Sequence, residues 1–116
     1  MKKILITGAL GHIGSKLIHS IKPGEYKEVR ILDNLFTQRY PSLFNLPRGV
    51  NYKFVEEDIL KSDLHALTKD VSAVVHLAAI TDAPSSFERR QEVEQVNYEG
   101  TKRVAEACLE AGASLF

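Results

Sequence analysis

The residues with the most chemical content stand near the start of the chain. Gly8, Gly11 and Gly14 are spaced Gly-x-x-Gly-x-x-Gly, and an acid, Asp33, follows nineteen positions after the last of them. Gly8 can turn sharply because it has no Cβ to oppose a left-handed backbone. Gly11 would let a ligand's phosphates come close to the main chain, and Gly14 would let a helix lie close on the strand before it. A helix that starts there offers unpaired N–H groups and a partial positive charge, which suit a pyrophosphate. His12 lies in the turn, and its expected contribution is its backbone N–H. A carboxylate about 20 residues on can accept hydrogen bonds from both hydroxyls of a ribose. The same carboxylate would repel a 2′-phosphate. The chemistry implied is dinucleotide binding with NAD favoured over NADP.

Such a turn has meaning only between a strand and a helix. Lys2 and Lys3 precede the apolar run Ile4-Leu5-Ile6, which reads as a buried parallel strand. Ile13, Leu17 and Ile21 recur four apart, predicting a helix with one apolar stripe toward a sheet. Ser20 to Gly24, with Pro23, ends that helix, and residues 29–32 form a second strand ending in Asp33. Residues 34–49 show no period, and Pro41 and Pro47 break any long helix. The segment still holds Leu35, Phe36, Tyr40, Leu43, Phe44 and Leu46. It reads either as a functional loop or as a crossover packed on the sheet edge.

Residues 51–55 form a third strand, polar enough to be an outer one. Asp58 and Ile59 follow its end; Asp58 serves either a ligand or the cap of the next turn. A short helix over 62–67 would take Ser62 as its N-cap. Residues 73–78 are nearly all apolar, as in a central strand, and His76 within them reads as a satisfied core histidine. A long helix is predicted over 88–111, its core face carrying Val93, Val96, Gly100, Val104, Ala107 and Ala111. Gly100 implies a close helix–sheet approach, and Gly112 is the expected C-terminal cap. Tyr98, Lys102, Ala105 and Leu109 form a second stripe, either a dimer face or a solvated one. Residues 113–116 begin a fifth strand. The predicted fold is α/β, a Rossmann-type doubly wound parallel sheet of order 3-2-1-4, cut at the start of strand 5.

The 116 residues suffice for one domain with its own core, taken as 1–116. Lysine plus arginine and aspartate plus glutamate both number 15, so no net field draws in nucleic acid or an anionic membrane. No apolar run approaches the length that crosses a bilayer. The chain enters its first strand directly, leaving no room for a signal peptide. The single cysteine, Cys108, sits in an apolar helical pattern and is expected to be inert core. No Cys/His/acid cluster suggests a metal site, and His19 is expected at or near the surface. These features predict a cytoplasmic protein.

Five stretches together carry a resemblance. They are Thr7-Gly8-x-x-Gly11-x-x-Gly14, Leu32-Asp33-Asn34-Leu35, Glu57-Asp58-Ile59, His76-Leu77-Ala78-Ala79 and Asn97-x-x-Gly100-Thr101. In order and spacing the chain resembles the extended short-chain dehydrogenases/reductases, and more narrowly the NAD-dependent nucleotide-sugar epimerases and dehydratases. The resemblance implies NAD as cofactor and a nucleotide-sugar as substrate. The sugar hydroxyl would be oxidised to a keto intermediate and reduced again after rotation or elimination. It assigns Gly8, Gly11, His12, Ile13 and Gly14 to the pyrophosphate turn. Asp33, Asn34 and Thr37 go to the adenosine ribose, Asp58 to the adenine amino group and Ile59 to its ring. Leu77, Ala78 and Ala79 would pass close to the cofactor. Thr81 would lie by the nicotinamide and, with Ser85 and Ser86, offer hydroxyls to the sugar. Asn97 would hold the nicotinamide-side loop.

That family runs much longer than this chain. Its Tyr-x-x-x-Lys pair is expected beyond Phe116, so this chain alone is expected to bind NAD without turnover. Tyr98 and Lys102 share that spacing, but they overlap Asn97-x-x-Gly100-Thr101 and so belong to an earlier helix. The family commonly dimerises through this helix, which implies a homodimer around Tyr98, Ala105 and Leu109. A strand edge left open at Val74, Val75 and Leu77 would favour self-association. Two other readings stand beside this one: a dehydrogenase or reductase of the same family with a non-sugar substrate, and a dinucleotide-binding module without chemistry.

Overall fold

The computed structural model describes residues 2–35, 39–79 and 87–116, the side chains of 87 and 88 excepted. Its strands are β1 (Lys3–Thr7), β2 (Glu28–Asp33), β3 (Tyr52–Glu56), β4 (Val71–His76) and β5 (Ser114–Leu115). Its α-helices are α1 (His12–Ser20), α2 (Leu64–Thr68) and α3 (Phe87–Ala111). The strands form one sheet in the order β3-β2-β1-β4-β5, and the pairings are parallel. This is the expected doubly wound order with the fifth strand added beside the fourth.

Alternation along the strands divides the core between two faces. Ile4 and Ile6 of β1 and Val29 and Ile31 of β2 pack with Ile18 of α1 and Ile21 at its C-terminal cap on one face. Leu5, Leu32 and Val74 pack on the other with Leu64 of α2 and Val104, Ala107 and Cys108 of α3. A sheet covered on both faces needs such near-continuous apolar strands. The buried Cys108 has its thiol pushed up in pKa by burial, as an inert core cysteine should. Leu43 and Leu46 pack against the α1-side core, which supports the crossover reading for that part of residues 34–49. A 3-10 turn at Tyr40–Leu43 interrupts the segment, with Pro41 in its first turn.

Four expectations need correction. Ile13 does not face the sheet; it is 72% exposed, while Gly14, Ile18 and Ile21 are buried. Gly14 presses on the backbone of Gly8 and Ala9, which fixes the rotation of α1, and Ile13 is turned about 100° away from it. Ser62 does not cap α2. The helix starts at Leu64 and Asp63 is its cap, its carboxylate accepting from the Ala66 N–H at 3.1 Å. Ser62 belongs to the preceding turn, its N–H donating to the Asp58 carbonyl at 2.9 Å. The β4 edge at Val74 is not open, because Ser114 and Leu115 pair with Ala73 and Val74. The Phe116 N–H also donates to the Val74 carbonyl at 2.9 Å, and the His76 N–H to that of Phe116 at 2.8 Å. At Gly100 the close neighbour is not the sheet but the side chain of Ile59, 3.4 Å from where a Cβ would stand. Two smaller shifts are that β4 begins at Val71 and ends at His76, and that Ala111 at the end of α3 is exposed.

Candidate functional site

In a parallel sheet every strand ends on the same side, and ligands of such sheets bind beyond those ends. The sequence-selected residues gather there. Gly8 follows β1, Asp33 ends β2 with Asn34 next to it, Asp58 and Ile59 follow β3, and Leu77, Ala78 and Ala79 follow β4. Asn97 stands on α3, half-buried, one turn before Gly100, which the Ile59 side chain approaches. Thr37, Thr81, Ser85 and Ser86 lie outside the described residues.

The three glycines of the turn have three different reasons to be glycine. Gly8 has a φ of +65°, and a Cβ on it would stand 2.6 Å from the Ala78 nitrogen. A Cβ on Gly14 would stand 2.6 Å from backbone atoms of Ala9 and Gly8. Both are therefore required by the packing of the chain on itself. Gly11 is different. Its φ of −69° and ψ of −178° are open to any residue, and a Cβ there would meet only the Gly8 carbonyl oxygen, at 3.4 Å. Among the described residues nothing needs position 11 to be glycine, and the space beside it is open to a ligand.

Gly11 is also the N-cap of α1. No side chain caps it, and the first turn holds no acid. The N–H groups left over at a helix start thus keep their capacity for an anion. Asp33 braces the turn from β2: its Oδ2 accepts from the Leu10 N–H at 3.1 Å and its Oδ1 from the Leu35 N–H at 2.8 Å. An ionised carboxylate has about four lone-pair sites, so acceptor capacity remains on both oxygens. The donor set fits a dinucleotide: a helix start for the phosphates, an opening at Gly11 and a braced carboxylate for the ribose. Asp58 does cap the next turn, its Oδ1 accepting from the Leu60 N–H at 2.8 Å. That bond leaves its second oxygen for a ligand.

The sequence placed His76 in the core but did not reveal its partner. The Thr7 hydroxyl lies 3.1 and 3.2 Å from the Leu77 and Ala78 N–H groups and 2.7 Å from His76 Nδ1. A hydroxyl has one donor and two acceptor sites. Having accepted twice, it must donate to Nδ1, which makes Nδ1 an acceptor and puts the ring proton on Nε2. Nε2 then faces the Thr101 hydroxyl at 3.3 Å. Thr7 thus ties the ends of β1 and β4 together beneath the glycine turn, and the tie requires neutral His76. Burial lowers the pKa of His76 below its ordinary value of 6.5. The sign follows: above about pH 6.5 both folded and unfolded chains carry it neutral and stability is intact. As pH falls below that value the unfolded chain takes up the proton first, and stability declines until the folded pKa is passed. Thermal midpoints taken from pH 7.5 down to pH 5 should therefore fall more steeply for the unmodified protein than for His76→Gln. Parallel curves would remove the neutral-histidine tie.

Arg39 was missed entirely. It lies within the aperiodic stretch after β2, yet its guanidinium reaches His12 in the first turn of α1, Nη1 standing 2.9 Å from His12 Nε2. No signal in the sequence joins positions 27 apart across such a segment. His19 is exposed as expected and donates through Nε2 to the Ser42 carbonyl at 2.7 Å. Among the described residues no group of three or more histidines, cysteines or acids could hold a metal ion, and no helix is long and apolar enough to cross a membrane.

The comparisons with known proteins agree with this geometry. The UDP-N-acetylglucosamine 4-epimerase of Methanobrevibacter ruminantium M1, solved with UDP-N-acetylmuramic acid, superposes with a TM-score of 0.82 at 30% identity. The match covers 97% of this chain and 35% of that one. The UDP-glucuronic acid 4-epimerase of Bacillus cereus, solved with NAD, gives 0.77 at 34% identity over 91% of this chain and 35% of its own. The dTDP-glucose 4,6-dehydratase of Streptomyces venezuelae, also solved with NAD, gives 0.74 at 26% identity over 97% and 38%. The chain thus spans little more than a third of the length of these proteins. The model of the 3-beta hydroxysteroid dehydrogenase/isomerase family matches residues 5–116. With the glycine turn, the strand order and the acid after β2 all in place, this chain belongs to that family of extended short-chain dehydrogenases/reductases.

Proposed function

We propose that this chain is the NAD-binding part of an epimerase or dehydratase that acts on a nucleotide-sugar. The observation that carries the reading is the opening at Gly11, a glycine the chain itself does not need, beside a braced acid at the end of β2. The similar proteins solved with NAD support the cofactor, and their substrates support the sugar. When bound, NAD supplies a hydride acceptor and later a hydride donor. This chain's residues bind and orient it. The first turn of α1 takes the pyrophosphate, with Gly8, Gly11, His12, Ile13 and Gly14. Asp33 and Asn34 take the adenosine ribose, and Asp58 and Ile59 the adenine. Leu77, Ala78 and Ala79 line the path to the nicotinamide, with Asn97 behind it. Thr37, Thr81, Ser85 and Ser86 complete the proposal by resemblance alone.

Tyr98 and Lys102 are not assigned the proton transfer. Tyr98 is 61% exposed and lies, with exposed Ala105 and Leu109, on a face of α3 separate from Val104 and Ala107. That face is the proposed homodimer surface. A cytoplasmic location is proposed on the single, buried, unpaired Cys108. A second reading, a dehydrogenase with a non-sugar substrate, is favoured by the hydroxysteroid description of the matching family.

Calorimetric titration of the protein with NAD, followed by UDP- and dTDP-sugars and a 3β-hydroxysteroid in the presence of NAD, separates the readings. NAD binding by this chain is the expected result, with a further heat only from a nucleotide-sugar when the region beyond Phe116 that would grip the sugar is included. A heat only from the steroid would favour the second reading, and absence of NAD binding would overturn both.

A further inference from the structure

We propose that Arg39 and His12 form a cationic side-chain clamp on the pyrophosphate, closing over the glycine turn from the β2 side; the inference rests on the NAD-binding reading above. Arg39 Nη1 lies 2.9 Å from His12 Nε2, and Nη2 lies 3.1 Å from His12 Nδ1. The in-plane directions of the two ring nitrogens diverge, so one planar guanidinium cannot be in line with both. The two distances together lay the guanidinium across the imidazole. A neutral imidazole also has just one acceptor nitrogen. The contact therefore uses at most one of the five guanidinium donors. Arg39 Nε is buried and has no hydrogen-bond partner among the described residues. No carboxylate among them pairs with Arg39 either, the ion pairs found being Arg30–Glu28 and His65–Glu110.

An arginine without an anion has thus been brought to a helix start without an acid. The placement is held by the chain. The Ser42 N–H donates to the Arg39 carbonyl at 3.0 Å, the Ser42 hydroxyl to the Leu10 carbonyl at 3.1 Å, and His19 to the Ser42 carbonyl at 2.7 Å. These bonds fasten the 3-10 turn to α1 at both ends, with Leu10 in the glycine turn itself. Asp33, which braces the same turn through the Leu10 N–H, marks the ribose end. Arg39 therefore stands on the phosphate side of the ribose, held against His12, the residue next to the opening at Gly11. A guanidinium fork suits two phosphate oxygens, and a positive charge there offsets the charge of a pyrophosphate. His12 acts as the platform that keeps the fork over the helix start.

The test compares the unmodified protein with Arg39→Met and Arg39→Lys in titrations with NAD, NADP and adenosine, which has base and ribose but no phosphate. Arg39→Met should weaken NAD roughly tenfold and leave adenosine unchanged. It should also lower the slope of log Kd against log salt, and Arg39→Lys should fall between the two. Equal NAD affinity in the Met variant would overturn the clamp. An equal loss for adenosine would make Arg39 a mere loop brace, and a loss confined to NADP would make it a 2′-phosphate contact; either overturns the proposal. An unmodified protein that binds adenosine but not NAD would instead overturn the NAD reading itself.

Discussion

Gly11→Val should abolish measurable binding of NAD while leaving the protein folded. The loss expected is a hundredfold or more, about 3 kcal/mol. A valine at this position adopts the extended backbone found there without strain, and its Cβ touches only the Gly8 carbonyl, at 3.4 Å. Its two methyl groups then project where the phosphates must pass. The folded state loses little: valine is a poorer N-cap than glycine by about 1 kcal/mol, which lowers the thermal midpoint by roughly 4–8 °C. Gly8→Val and Gly14→Val are the controls. Each puts a Cβ 2.6 Å from backbone atoms, and Gly8 adds a φ of +65° that a β-branched residue resists. These two variants should fail to fold, whereas Gly11→Val should melt cooperatively and fail to bind. Calorimetric titration and circular dichroism melts read the two properties separately. Unimpaired NAD binding by Gly11→Val would remove the phosphate from the glycine turn.

The contrast among the three glycines also shows what a sequence can reveal. The roles of Gly8 and Gly14 were legible because each depends on one residue type and one local conformation. The strand order was legible for a similar reason: a central strand is apolar on both faces, and an outer one such as β3 is not. Where two nearly equal local choices compete, the sequence was ambiguous. Ile13 and Gly14 are adjacent, and the apolar stripe favoured Ile13. Steric contact of Gly14 with Ala9 decided the rotation of α1 the other way. Ser62 and Asp63 are both good caps, and the turn closed by the Asp58 carbonyl took Ser62 out of contention. Contacts made by the loop after β2 were not legible at all. Arg39 reaches His12, and the Ser42 hydroxyl reaches the Leu10 carbonyl, from a segment with no period to fix its path. Leu35 even takes a φ of +57°, a conformation no pattern of apolar residues announces.

Replacing Asp33 by alanine should collapse the preference for NAD over NADP. In the unmodified protein each carboxylate oxygen already accepts one backbone N–H, from Leu10 at 3.1 Å and from Leu35 at 2.8 Å. One acceptor site on each oxygen remains for the two ribose hydroxyls. Hydrogen bonds to a charged group contribute about 1.5–3 kcal/mol each. Losing both should weaken NAD by more than about a hundredfold. NADP starts from a weaker position, because its 2′-phosphate faces the carboxylate and has no hydroxyl to donate. Removing the charge relieves that repulsion, so NADP should lose far less or gain. Alanine also leaves the Leu10 and Leu35 N–H groups without their acceptor, which loosens the turn for either dinucleotide. That penalty is shared and cancels in the ratio of the two affinities. The ratio is therefore the quantity to measure, by titrating both cofactors into both proteins under one salt concentration, since screening changes the phosphate contribution. A ratio that falls toward one in Asp33→Ala is the expected result. A ratio unchanged by the substitution, or an unmodified protein that prefers NADP, would reduce Asp33 to a brace for the loop and leave the choice of cofactor to other residues.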